Sequence, residues 1–351
     1  MRQNHNKLIE KLSDLDVPGW LLAIVIGFLK DRSMVVLYKG SQSSIKPLPG
    51  GGPQGTLLAL LLFLILVNDV GFDEQSNNAG EIATSKRKIK AANELHLEFV
   101  DDLTLAEVVK TKDCIPFSQS NSRVYQQLVK TQSYSLENEM KINFAKTKTM
   151  VFNTSKTIDL VPNFVLDGIE IEQISEVRLL GIQISHNMKW KNNTLNIVKK
   201  ASQRLWILRR LKNLGADVNS LKDVYIKQIR SILEFGVPAW QGGISLIEKT
   251  DIERVQKCAA HIILGKTYSS YETALKTLAL ERLEVRRIRL CLNFAIKAEK
   301  HPKFRKWFVP NTTAYETRNK AKYKEIQANH ARYAKSPLAY LTKLLNIHHK
   351  T

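Results

Sequence analysis

Cysteine is scarce: Cys114, Cys258 and Cys291 are the only three in 351 residues. They are far apart and odd in number, which excludes a disulfide framework. None stands at a metal-ligand spacing, so no zinc site is implied. Ordinary buried thiols in a reducing compartment are expected. Long apolar runs are missing too. The longest, Leu57 to Val67, falls well short of the roughly 20 residues that span a bilayer. The opening residues Met1-Arg2-Gln3-Asn4-His5 hold no apolar stretch of the secretory kind. The expectation is a soluble, intracellular chain with no membrane partner.

Acidic residues are scarce in one half only. Residues 181–351 hold 12 Asp and Glu against 33 Lys and Arg, a net +21, whereas residues 1–180 hold 21 against 20, a net −1. The whole excess of +20 therefore lies in the second half. So one-sided a field attracts polyanions, and Trp190, Trp206, Trp240 and Trp307 are interleaved with the basic residues, as on many nucleic-acid surfaces. The competing reading is a solvated basic surface over a helical bundle, with most of the tryptophans in its core.

With 44% hydrophobic and 25% charged residues, the chain can bury a sizeable core, and its length suggests two domains. Leu8 to Leu12 and Gly19 to Lys30 predict helices. Met34 to Tyr38 and Ser43 to Leu48 predict a hairpin turning at Gly40-Ser41. After the breaker Pro49-Gly50-Gly51-Gly52-Pro53, Gln54 to Val67 is apolar nearly all round, the pattern of a helix buried in the core. Asp73 to Asn93 is polar, carries Lys86-Arg87-Lys88, and reads as a surface insertion. Glu94 to Val100 and Leu103 to Val109 predict a hairpin with Asp101-Asp102 at its turn.

An amphipathic helix over Ser122 to Lys141 follows, then a strand at Thr149 to Phe152 and turn-linked strands at Phe164 to Ile171 and Val177 to Ile184. After Trp190 the texture changes to long basic amphipathic helices near Leu195 to Leu211, Leu221 to Phe235, Lys249 to Leu264 and Leu283 to Lys300. This divides the chain into an α+β domain, residues 1–188, and a basic helical domain, residues 189–351.

An Asp-Asp pair alone says little, because most such pairs are solvated turns. Its neighbours say more. Gly51-Gly52-Pro53-Gln54-Gly55-Thr56-Leu57-Leu58, continuing through Leu61-Leu62-Phe63 to Asn68-Asp69, resembles the Gly-x-Pro-Gln-Gly segment and following helix of non-LTR (LINE-type) retrotransposon reverse transcriptases. Phe99-Val100-Asp101-Asp102-Leu103 resembles that family's aromatic-x-Asp-Asp turn. Asn143-Phe144-Ala145-Lys146-Thr147-Lys148 resembles its Asn-x-x-Lys-Thr-Lys stretch, and Leu179-Leu180-Gly181-Ile182 with Trp190 its primer grip. Tyr225, the run Ile232 to Gly236, Trp240, Gln256 and Leu283-Glu284-x-Arg286-Arg287 are similar to the region that follows the polymerase. The motifs stand in the family's order.

The resemblance implies an α+β fold: a partial polymerase palm with a mixed or antiparallel sheet, then a helical thumb and a basic helical region. It implies an RNA-directed DNA polymerase in which Asp101 and Asp102 hold Mg²⁺ or Mn²⁺ in a two-metal site, since hard cations take carboxylate oxygens. Pro53, Gln54 and Gly55 would lie beside nucleotide and template, Lys146 would serve the pyrophosphate leaving group, and Leu180 and Gly181 would hold the primer end. RNA template, DNA primer or duplex and deoxynucleoside triphosphates are the implied partners. The family's first catalytic aspartate precedes a segment resembling Asn4-His5-Asn6-Lys7-Leu8-Ile9. With no match for it here, a truncated element copy or gene fragment is expected, and the two-metal site is expected to be incomplete. The alternative is a non-catalytic nucleic-acid-binding remnant.

Overall fold

The computed structural model describes residues 5–48, 50–51, 55–67, 94–99, 102–109, 118–152, 163–312, 321–327 and 331–349. The fold is α+β, and the chain divides into two compact units, Met1–Val151 with Ser155–Ile174, and Phe152–Thr154 with Ser175–Thr351. The expected insertion at Asp73 to Asn93, together with Pro53, Gln54, Asp101 and Cys114, lies outside the described residues.

In the first unit α1 (His5–Asp14), α2 (Gly19–Leu29) and α3 (Leu57–Val67) each bury a pair spaced one turn apart. Leu8 and Leu12, Val25 and Leu29, and Leu62 and Leu66 form one cluster with Met140. Residues i and i+4 share a helix face, so each pair is a single stripe, and fully burying such a side chain contributes about 1.5–3 kcal/mol. The C-terminal end of α3 is tied down by Lys11 Nζ, which donates to the Leu66 carbonyl at 2.8 Å, and by the Tyr134 hydroxyl, which donates to the same oxygen.

The all-round apolar α3 is not internal, contrary to its sequence pattern. Only Ala59, Leu62 and Leu66 are buried, while Leu57 is 89% exposed and Leu60, Leu61 and Leu64 are also open. The cause is the size of the cluster, which covers a single stripe of each helix.

The predicted hairpin forms as two short ladders. β1 (Ser33–Met34) pairs with β4 (Lys46–Pro47), and β2 (Leu37–Tyr38) with β3 (Ser41–Gln42), all antiparallel. The register slips by one residue between them. The Ser43 hydroxyl accepts from the Val36 amide at 2.9 Å while the Ser43 amide donates to the Val36 carbonyl, and the extra residue sits in a bulge on the second strand.

β5 (Glu94–Phe99) and β6 (Asp102–Glu107) form the longest ladder. α4 (Arg123–Glu137) is capped by Ser122, whose Oγ accepts from the Tyr125 amide and donates to Glu107 of β6. The Glu107 carboxylate also accepts from the Arg123 amide at 2.9 Å, so the hairpin is pinned to the positive end of α4. β7 (Val165–Leu166) and β8 (Ile169–Glu170) pair next, and Phe164, Leu166 and Ile171 cluster with residues of α4 and with Phe144. The expected strand at Thr149 to Phe152 is reduced to one bridge, Thr149 to Gln173. Among the described residues all strands pair in twos, without a larger sheet or a barrel.

The second unit opens with β9 (Glu176–Leu179) and β10 (Ile182–Ser185), followed by α5 (Lys191–Asn213). The division at Ile174 and Ser175 thus falls ahead of this hairpin, which joins the helices, rather than at the change of texture after Trp190. α6 (Val218–Val224) runs through a π-helical turn, Tyr225–Arg230, into α7 (Ser231–Leu233). The remaining helices are α8 (Val237–Trp240), α9 (Leu246–Leu264), α10 (Tyr271–Thr277), α11 (Leu283–Lys300), α12 (Ala331–Ala334) and α13 (Pro337–His348).

α5 packs on α9 through Ile197, Ala201, Leu205 and Leu208, a helical stripe within one large core that also takes Trp190 and Trp240. Trp206 and Trp307 are exposed, so the bundle core accounts for two of these four tryptophans. Cys291 is buried and Cys258 is exposed, contrary to the expectation of buried thiols, because α9 turns Cys258 away from its buried Val255, Ala259 and Ala260. Beyond α11 the chain is strapped down where Asn346 accepts from the Tyr323 amide and donates to its carbonyl, both at 2.9 Å.

Candidate functional site

Alternating apolar residues flank the aspartate pair, and the ladder they build ends at Phe99 opposite Asp102. Asp102 is therefore the first residue of β6, exposed beside an exposed Phe99. Asp101 falls in the two-residue connection outside the described residues. No group of three or more His, Cys, Asp or Glu that could hold a metal occurs among the described residues. Carboxylate oxygen suits a hard cation, but Asp102 alone does not make a site.

Lys146 lies in a tight turn organised by Asn143. The Asn143 carbonyl accepts from the amides of Lys146 and Thr147, both at 3.0 Å, and from the Thr147 hydroxyl, while its side-chain oxygen accepts from the Lys146 amide. Such local side-chain bonds fix turns. Phe144 anchors the turn in the cluster under α4, and Lys148 pairs with Glu172 at 2.5 Å. Lys146 itself is exposed.

Gly55, with φ of 89°, turns the chain into α3, and Thr56 caps that helix by accepting from the Ala59 amide. Asp102, Lys146 and Gly55 stand on three separate elements, and among the described residues no hydrogen bond or ion pair joins them.

In the second unit Leu180 and Gly181 are the two central residues of the β9–β10 turn, with φ of 46° and 89°. Two positive φ values define the hairpin turn that follows strand twist, and it favours Asn or Gly at the first position. A branched leucine there is strained, and it is left 47% exposed. Gly181 is required on a second count: a Cβ would stand 2.9 Å from the Phe235 ring.

The downstream motif residues are mostly buried. Gln256 is fully enclosed, accepting from the Tyr225 hydroxyl at 2.6 Å and donating to the Tyr271 hydroxyl and the Glu281 carbonyl, each at 2.9 Å. Burial raises the Tyr225 and Tyr271 hydroxyls well above the usual phenol range, which keeps them protonated as donors. Arg286 and Arg230 both reach Glu234. Arg287 is completely buried and donates from Nε to Gln241 at 2.9 Å, while its two terminal nitrogens have no partner. These residues specify the bundle rather than face a substrate.

The outer face of α5 has the opposite character. Its 23 residues carry seven Lys and Arg and no Asp or Glu. Lys199, Gln203, Trp206 and Arg210 follow helical spacing on one face, all exposed, with Trp206 at 57%. Some cations elsewhere in this unit pair with carboxylates, as in Lys227 with Asp223, Lys249 with Glu284 and Arg289 with Glu281. Reading the sequence at helical spacing would have singled out this face around Trp206.

What the described residues define is an α+β chain in which an aspartate-bearing hairpin belongs to one unit and an acid-free basic helix to the other. The chain is related to the reverse transcriptases of LINE-type retrotransposons. It is 22% identical over 256 residues to a probable RNA-directed DNA polymerase from transposon BS of Drosophila melanogaster, a match covering 72% of this chain and 26% of that protein. It is 24% identical over 226 residues to the RNA-directed DNA polymerase from mobile element jockey of the same species, covering 63% and 23%. The chain thus spans about a quarter of the length of the curated relatives it matches. No protein-family model matches. Among the described residues no helix is long and apolar enough to cross a membrane.

Proposed function

We propose that this chain carries part of an RNA-directed DNA polymerase: the aspartate hairpin of the palm in its first unit and a duplex-holding thumb in its second. The observation that carries this reading is the sequence relationship to two such polymerases over 72% and 63% of the chain. The ladder that ends at Phe99 and Asp102 supports it.

In this reading Asp101 and Asp102 would offer oxygen ligands to Mg²⁺ or Mn²⁺, whose chemistry is to neutralise charge on the phosphates as a nucleotide joins the primer. Lys146, exposed on its rigid turn, would steady or protonate the pyrophosphate, a role suited to a mobile ammonium. Pro53, Gln54 and Gly55 would border nucleotide and template. Leu180 and Gly181 would support the primer end, where a half-exposed leucine held in a strained turn offers a rigid apolar contact. RNA template, DNA primer and deoxynucleoside triphosphates are the proposed partners. The α5 face would bind backbone phosphates without reading sequence.

A second reading has its own support. The exposed cations of α5, among them Lys199, Arg209 and Arg210, need no metal to bind nucleic acid, which suits a non-catalytic remnant that binds duplex. Primer extension with Mg²⁺, deoxynucleotides and an RNA template separates the two. Incorporation that disappears in Asp101→Asn supports the polymerase, and salt-dependent duplex binding without incorporation supports the remnant.

A further inference from the structure

α11 ends at Lys300, and the chain goes on in turns that repeat every three residues. The Phe304 amide donates to the His301 carbonyl at 3.0 Å, and the Trp307 amide to the Phe304 carbonyl at 2.9 Å, in a 3₁₀ turn over Arg305–Trp307. Side chains three apart eclipse one another in such turns, so His301, Phe304 and Trp307 form a row. Their ring centroids are 4.6 and 4.8 Å apart, with planes tilted by 31° and 41°, within the spacing of aromatic pairs. Phe304 leans on the bundle core, whereas His301 is exposed and Trp307 keeps 36% of its surface open.

The row is held from both sides. The His301 ring is oriented by the Lys303 amide, which donates to Nδ1 at 3.2 Å. Phe308, one residue beyond the row, is 2% exposed and packs on Tyr323 with centroids 5.6 Å apart, while the Lys324 amide donates to the Val309 carbonyl at 2.8 Å. The surroundings are basic. Residues 297–306 hold five Lys and Arg against one acid, Glu299, and that carboxylate is already engaged by Lys322, Tyr323 and His349. Lys300, Arg305 and Lys306 are all exposed, and on the strap through Tyr323 exposed Lys322 and Lys324 stand against Glu325.

We propose that this turn is a stacking platform for single-stranded nucleic acid, in which an unpaired base extends the ring row at Trp307 and the flanking phosphates meet Lys300, Arg305 and Lys306. Aromatic stacking beside a basic surface holds a strand without reading its sequence. In a duplex both faces of every base are covered, so the same ring would reach only the backbone. A membrane surface calls for a broad apolar face, whereas Phe308 is turned inward and the exposed end of the row is an indole. An acidic peptide would satisfy the cations and leave the row without a partner. The platform goes beyond the duplex-holding reading of this unit and does not depend on nucleotidyl transfer.

Fluorescence anisotropy of the full chain tests it with three labelled probes: oligo(dT) of about ten nucleotides, an abasic strand of equal length and charge, and a duplex of equal length. The parent should prefer oligo(dT) to the abasic strand by about tenfold, the contribution of one stacked base. Trp307→Leu keeps an apolar side chain and removes the flat ring, and should lose that preference. Trp307→Phe should retain most of it. Both variants should bind the duplex within about twofold of the parent. Changing Lys300, Arg305 and Lys306 together to glutamine should lower the single-strand salt slope by about 2. Equal binding of oligo(dT) and the abasic strand by the parent overturns the platform, and this readout holds even if Trp307→Leu unfolds. A preference that survives in a folded Trp307→Leu also overturns it. So does loss of binding to phosphatidylserine vesicles in that variant with oligo(dT) binding unchanged, which would mark a membrane surface. A parent that binds duplex and no single strand overturns the platform alone, and one that binds neither overturns it together with the duplex-holding reading.

Discussion

Neutralising Lys199, Arg209 and Arg210 of α5 to glutamine should weaken duplex binding in a way that can be computed in advance. All three are exposed on a helix with no carboxylate of its own. Surface changes of this kind shift stability by no more than about 0.5 kcal/mol, so the fold is a constant. Each phosphate neutralised on duplex DNA contributes about 0.9 to the slope of log affinity against log salt. If each of the three cations meets one phosphate, the triple variant loses about 2.7 from that slope, so the loss of affinity between 50 and 200 mM salt shrinks by about 40-fold.

The control removes the same charge elsewhere. Lys227, Lys249 and Arg282 are already engaged with Asp223, Glu284 and Glu272. Neutralising these should leave the slope nearly intact. Anisotropy titrations at four salt concentrations read both slopes, and equal losses in the two triple variants would refute a localised α5 interface in favour of a diffuse field.

Three further outcomes follow from single groups. Gly181→Ala must adopt φ near 89° with its Cβ against Phe235, and urea unfolding should show a loss of about 1–3 kcal/mol, whereas an unchanged midpoint would mean the turn relaxes freely. Burial lowers the Arg287 pKa, and its Nε donates to Gln241. Arg287→Met should therefore be neutral or stabilising, while Gln241→Met removes a hydrogen bond to a buried charge and costs about 1.5–3 kcal/mol; the reverse order in urea would contradict this.

Burial pushes the Glu299 carboxyl up, but hydrogen bonds from Lys322, Tyr323 and His349 and the Lys322 charge outweigh it and bring the pKa from 4.5 down to about 2. A depressed pKa stabilises the fold above the unfolded value and the benefit is lost as pH falls from 4.5 towards 2, at most about 3 kcal/mol here. Glu299→Gln should flatten the stability profile in that window, and an unaltered acid limb would count against the triad.

Helices with clean apolar spacing were legible in the sequence. Leu283 to Lys300 emerged with those very bounds, and the hairpin about Asp101-Asp102 followed from alternation on both sides. Other features depend on partners that periodicity does not encode. Thr149 to Phe152 has strand-forming residues, yet a strand exists only where another pairs with it, and here one bridge to Gln173 is formed. The apolar run of α3 looked internal because composition does not report how many neighbours a helix meets. The strain at Leu180 was invisible because the motif gives residue order without backbone angles, and the same motif reading did not show that α11 buries Arg287 inside the bundle. Of the site residues, Lys146 and Leu180-Gly181 lie on well-built turns.

Primer extension tests the central claim most directly. With Mg²⁺, an RNA template, a DNA primer and deoxynucleotides, the account predicts that nucleotide incorporation, by the chain or by a longer polypeptide that contains it, is lost in Asp101→Asn and in Asp102→Asn while duplex binding persists. Incorporation that survives both substitutions, or a chain that binds no duplex, would contradict it.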